Sequence, residues 1–279
     1  DHDVRLSGRL TPRTGGPARG LVVLIHGWEG CHDSSYLYSM AARLHVEGYD
    51  VFRLNLRDHG NTHHLNRKMF HSARLGEVLD GVAAARRQVD DGPLYLIGFS
   101  LGGNFALRVA LRGAEAGLFP RLTVAISPAI NPRATLLGID NGPWLFRRHF
   151  LDRWRHTLAA KRAAWPHYDF SAFDSLSSFM DMTRQFVSEH TGFASLDDYF
   201  AQYTLTPAML MDAPSPLALL TAEDDSVIPI RDFEGLQVRG AVSAFMRTRH
   251  GGHCGFIDTW QLHSWAEDRV VAWLSSARD

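Results

Sequence analysis

The sequence predicts an α/β fold: a mostly parallel, doubly wound sheet with helices on both faces and an inserted helical segment. Three observations predict it. From Leu21 onward, short apolar runs alternate with segments of helical period, the order that builds parallel strands joined by crossover helices. One such run, residues 94–97, enters the sharp turn Gly98-Phe99-Ser100-Leu101-Gly102 and passes directly into a helical pattern. Between Asn131 and Asp212 the alternation stops, and no clear strand interrupts a helical, aromatic-rich stretch.

Each element has its own reason. Leu21–Ile25 is continuously apolar, as a strand covered on both faces must be, and it ends at His26-Gly27. Residues 36–47 read as a helix stopped at Gly48. Residues 49–54 are a second strand, followed by Asn55-Leu56-Arg57-Asp58-His59-Gly60. Residues 72–89 form a helix with Leu75, Val78, Leu79 and Val82 at helical spacing. After the serine turn comes a helix over 104–112, and Leu122–Ile126 is a strand ending in Ser127-Pro128. Residues 216–221 and 242–246 are two further strands, and 258–275 is a closing helix. The expected division is a core of residues 1–130 and 213–279 with a helical cap over 131–212. That cap holds Trp144, Phe146, Phe150, Trp154, Trp165, Phe170, Phe173, Phe179, Phe186, Tyr199, Phe200 and Tyr203. Most of these should fill its own small core, with a few facing the serine.

Composition bounds the function. A 279-residue chain with 45% hydrophobic and 21% charged residues builds a full core. A formal net charge of -1 argues against nucleic acid and anionic membranes as partners. No run of eighteen apolar residues occurs, so no stable membrane insertion is expected. Asp1-His2-Asp3-Val4-Arg5 lacks the shape of a signal peptide, and two cysteines, Cys31 and Cys254, make no disulfide framework; a cytoplasmic location is expected. The thiols are expected to be free. Residues His59, His63, His64 and His71 fit no standard metal-ligand spacing, so neither metal nor cofactor is expected.

The chemistry is expected at Ser100. A serine at the apex of a strained turn needs neighbours without side chains, which Gly98 and Gly102 provide. The following helix aims its positive end at the same place. A serine hydroxyl is a weak nucleophile and needs a base oriented by a carboxylate. Two later loops, each leaving a strand on the same sheet edge, supply candidates in the required chain order. The first offers Glu223, Asp224 and Asp225; the second offers His250 and the glycine-flanked His253.

The motifs His26-Gly27-Trp28-Glu29-Gly30, Arg57-Asp58-His59-Gly60, Gly98 to Asn104, Asp224 to Pro229 and Gly251 to Phe256 together resemble an α/β-hydrolase. More narrowly they resemble its YheT-like branch. The resemblance implies the α/β-hydrolase fold and a catalytic triad of nucleophile Ser100, base His253 and orienting Asp225, the last four residues before Pro229. It implies an oxyanion hole made by the backbone N–H groups of Leu101 and Trp28. His26, Gly27 and Phe99 are expected beside the substrate, with His26 bracing its loop rather than reacting. The expected activity is hydrolysis of a small-molecule carboxylic ester with an apolar or lipid-like group. An acyltransferase on the same serine, or a ligand receptor without turnover, are the alternative readings.

Overall fold

A computed structural model describes residues 3–89 and 92–277; the first two residues of the N-terminal stretch read for a leader lie outside them. Seven strands form one sheet: β1 (Gly8–Thr11), β2 (Leu21–Ile25), β3 (Asp50–Leu54), β4 (Leu94–Phe99), β5 (Leu122–Ile126), β6 (Leu217–Ala222) and β7 (Val242–Thr248). Their spatial order is β1-β3-β2-β4-β5-β6-β7. Among the described residues of this sheet, only the β1–β3 pairing is antiparallel. The sequence reading missed β1, whose four residues at the sheet edge are too few to declare an alternation.

Helices α1 (Ser35–Val46), α2 (Leu75–Arg86) and α3 (Leu101–Arg112) follow β2, β3 and β4. Strand residues alternate between faces, so Val22 and Leu24 meet Leu37, Met40 and Leu44 of α1, while Val23 and Ile25 meet the α2–α3 side. Chain order reverses at β2 and β4, with α1 on one face and α3 on the other. The loops leaving those two strands therefore part around a crevice, where such sheets bind ligands.

Among the described residues, no strand occurs between β5 and β6. That segment holds α4 (Pro132–Asn141), α5 (Trp144–Ala164), α6 (Phe179–His190), α7 (Leu196–Ala201) and α8 (Pro207–Met211). Local signals start several of them: Asn131, Ser178, Ser195 and Thr206 each accept a backbone N–H at a helix N-terminus. Within α5, Leu151, Trp154, Leu158 and Lys161 are buried at helical spacing. Their cluster is continuous with the sheet, since Ala125, Leu217 and Leu219 belong to it together with Trp154, Phe179 and Phe186.

Several helix boundaries differ from expectation, most of all at helix starts. Helix α3 starts at Leu101 rather than at residue 104, because the tight packing of Gly102 and Gly103 outweighs their low helical propensity. The sequence placed α2 over residues 72–89, but 72–73 form a turn and the helix spans Leu75–Arg86. The closing helix, α9 (Trp265–Ser276), starts seven residues later than expected. Residues 257–264 instead make a loop closed by the Ile257–Ser264 bridge and by Asp258 N–H donating to His263 O at 3.1 Å.

Candidate active site

Ser100 occupies a conformation that L-residues seldom adopt, φ 53° and ψ -118°. Its neighbours explain why the turn can be so tight. A Cβ at residue 98 would lie 2.1 Å from Gly102 O, and one at residue 102 would lie 2.2 Å from Ile25 O. Ser100 N–H donates to Ile126 O at 2.9 Å, fastening the turn to the end of β5. The strain is thus held by packing on three sides.

Two loops bring partners to the hydroxyl. Ser100 Oγ and His253 Nε2 are 3.0 Å apart, and His253 Nδ1 lies 2.9 Å from Asp225 Oδ2. The Asp225 carboxylate can only accept here, so Nδ1 carries the hydrogen and Nε2 is free to accept from Ser100. Asp225 Oδ1 also accepts the N–H groups of Val227 and Ile228, at 2.8 and 2.9 Å. Its side chain is fully buried. The rivals take other positions. Asp224 Oδ1 accepts Gly252 N–H at 2.8 Å and so shapes the histidine loop from outside. Glu223 pairs with Arg247 at the surface, and the His250 side chain is 89% exposed.

Gly27, Trp28, Phe99, Ser100, Leu101 and His253 line a cavity of about 670 Å³. A Cβ at Gly27 would come within 3.3 Å of Ser100 Cβ, so the loop after β2 lies directly against the serine. His26 braces its loop as expected, but it is fully buried and is not among the residues lining the cavity. Leu56 N–H donates to its Nε2 at 3.1 Å, so Nδ1–H donates to Gly27 O at 2.7 Å. Burial lowers its pKa to about 4, and the ring stays a neutral brace.

Six of the twelve aromatics noted in the inserted segment reach the cavity wall: Phe150, Trp154, Phe179, Phe186, Tyr199 and Tyr203. This is a larger share than a self-contained helical core would leave. Trp28 joins them, edge-on to Trp154 at 5.5 Å and to Phe179 at 5.0 Å. Phe170 and Phe173 pack inside, whereas Trp144 and Phe146 are exposed.

Polar ties also join the segment to the loops. Lys161 on α5 donates to Asp58 Oδ1 at 2.9 Å and to Asn66 O at 2.6 Å, with both charged side chains out of solvent. Burial acts against both charges, raising the Asp58 carboxyl and lowering the Lys161 ammonium, while each opposes the other's shift. Glu29 also lines the cavity. Thr157 Oγ1 donates to its carboxyl at 2.6 Å, and burial raises that carboxyl to about 7. Among the described residues, no three His, Cys, Asp or Glu side chains group as metal ligands would. Cys31 and Cys254 are both free thiols.

Residues 22–262 match the sequence model described as "Alpha/beta hydrolase family". The chain belongs to the alpha/beta hydrolase family. Among curated relatives, this alpha/beta hydrolase is 25% identical to the Escherichia coli (strain K12) protein named "Putative esterase YheT", over 91% of this chain and 76% of that one. It is 24% identical to "Putative esterase slr0264" of Synechocystis, over 92% and 78%. Among solved structures, the Pyrococcus furiosus esterase Pf2001 superposes with a TM-score of 0.65 at 16% identity, covering 98% of this chain and 86% of the other. Both of these curated relatives carry the name "Putative esterase". No helix among the described residues is long and apolar enough to cross a membrane.

Proposed function

We propose that the protein is a serine hydrolase that cleaves carboxylic esters through an acyl-enzyme on Ser100. The reading is carried by one observation: the unbroken hydrogen-bond chain from Ser100 Oγ through the His253 imidazole to the buried Asp225 carboxylate. In the reaction, Ser100 Oγ attacks the carbonyl carbon as His253 Nε2 takes the hydroxyl proton. Asp225 holds the ring in position and stabilises the imidazolium that forms. The N–H groups of Trp28 and Leu101 receive the oxyanion, each donor worth about 3 kcal/mol in the transition state. Collapse expels the alcohol, which leaves with the proton from His253. A water molecule, deprotonated by the same nitrogen, then attacks the acyl-enzyme and releases the acid.

Residues 131–212 serve in this reading as the cap. Its aromatic side chains, with Trp28, favour an apolar group on the substrate. Purified protein is expected to hydrolyse short p-nitrophenyl esters and to take up a fluorophosphonate label on Ser100. Replacing Ser100 by Ala should abolish the label and lower turnover by at least about 10⁴-fold. Undiminished turnover in Ser100→Ala would end this reading.

A further inference from the structure

Tyr36 stands in the first turn of α1 and lines the cavity that holds Ser100. Gly27 N–H donates to its hydroxyl oxygen at 3.0 Å. The turn that follows closes on the same oxygen. Gly30 N–H donates to Gly27 O at 3.0 Å, and a Cβ at residue 30 would lie 2.8 Å from Tyr36 Oη. A side chain there would push the hydroxyl away, so the glycine and the tyrosine are matched. Within the turn Glu29 takes φ 57°, a conformation that an L-residue keeps only where its surroundings hold it.

The ring is fixed as well, packed on Phe99 with 4.9 Å between centroids. Phe99 immediately precedes Ser100, and its carbonyl oxygen would lie 3.4 Å from a Cβ at Gly27. Tyr36 therefore reaches the loop after β2 with its oxygen and the end of β4 with its ring. Burial pushes the phenol up to about 12, so at neutral pH it stays uncharged.

These contacts orient the Gly27–Trp28 peptide. Its carbonyl accepts from His26 Nδ1–H at 2.7 Å and from Gly30 N–H, while the N–H of the peptide before it is held by Tyr36. A trans peptide points its N–H opposite to its carbonyl, so the same bonds set the direction of Trp28 N–H. A Cβ at Gly27 would come within 3.3 Å of Ser100 Cβ, which puts the start of this peptide against the nucleophile.

We infer that Tyr36 is a positioning residue for ester hydrolysis: its hydroxyl holds the Gly27–Trp28 peptide so that Trp28 N–H meets the oxyanion formed on Ser100. The role rests on the serine-hydrolase reading and adds to it the side chain that keeps one oxyanion donor aligned. Tyr36 acts through Trp28 rather than on the substrate.

Tyr36→Phe removes the hydroxyl and keeps the ring. On a p-nitrophenyl ester its kcat is expected to fall by about 10- to 100-fold with KM within about threefold of wild type, because the lost alignment is felt only once the oxyanion forms. Two inhibitors separate alignment from binding. Trifluoromethyl hexyl ketone adds to the serine and then carries an oxyanion, whereas the matching carbinol has no carbonyl to attack. In Tyr36→Phe the ketone should bind at least about tenfold more weakly and the carbinol within about twofold of wild type. An unchanged kcat, or an equal loss for both inhibitors, overturns the role. If thermal melting shows that the variant does not fold, the wild type decides. Its Gly27 amide should exchange hydrogen slowly, as a bonded N–H does, and exchange at the rate of an open loop overturns the clamp. A wild type that turns over no ester and takes no label on Ser100 ends the hydrolase reading, and the positioning role falls with it. Failure of the role alone leaves wild-type turnover and labelling intact.

Discussion

Asp224 and Asp225 are adjacent carboxylates with unlike surroundings. Asp225 is buried, accepts two backbone N–H groups and orients His253, whereas Asp224 sits outside and holds Gly252. Asp225→Asn would offer His253 an amide in place of a carboxylate and favour the wrong tautomer; kcat should drop by about 10⁴-fold. Asp224→Asn should cost no more than about tenfold, through looser seating of the loop. Steady-state kinetics on one p-nitrophenyl ester checks both. The pattern of residues alone left three acids open here, and family resemblance chose among them. What distinguishes Asp225 is the backbone of Val227 and Ile228 folding over it, and no side-chain pattern announces that. The place of Glu29 on the cavity wall was harder still. Ser100 carries a local signature in its glycines, but Glu29 depends on Thr157, 128 positions away. His26 was expected beside the substrate as well as under its loop, and only the second holds. Preceding Gly27 in sequence, it turns under the loop because Leu56 N–H and Gly27 O capture its two nitrogens.

At the scale of elements, strands were the legible part and helix limits the less legible one. Continuous apolar runs such as Leu21–Ile25 and Leu122–Ile126 admit little else once helices flank them. Helix ends depend on contacts that propensity does not contain, as at α3, where two glycines sit in the first turn because neighbouring backbone leaves no room for a Cβ. Helix α5 is fixed to the core by an unusual anchor, the Lys161–Asp58 pair. Removing one member strands a buried charge. Lys161→Met should therefore destabilise the fold by about 3–5 kcal/mol, read from urea unfolding. Adding Asp58→Asn should recover part of that loss, because the uncompensated carboxylate is then gone.

For the molecule as a whole, buried imidazoles dominate the acid response. Burial lowers His26 and His63 to about 4 and His71 to about 3, and it also lowers His59 and His190. Below the ordinary value of 6.5, the unfolded chain takes up protons that these folded side chains refuse, so stability falls as pH drops toward 4. Glu29 at about 7 and Asp232 at about 6 act in the opposite sense, since the folded state keeps their protons longer. Histidines outnumber these acids, and His26 alone corresponds to about 3 kcal/mol. The urea midpoint should therefore rise between pH 4.5 and 6.5 and then level off or dip slightly near 7. A flat midpoint across that range would contradict the burial of these rings.

The aromatic roof and the sheet do not have separate interiors. Ala125, Leu217 and Leu219 of the strands belong to the same apolar cluster as Trp154, Phe179 and Phe186. Such an arrangement makes the molecule one cooperative unit rather than a scaffold with a detachable cover. Any breathing wide enough to lift the roof away must wet β5 and β6, the second of which leads into the Asp225 loop, so what admits a bulky guest is limited by what keeps that loop in place.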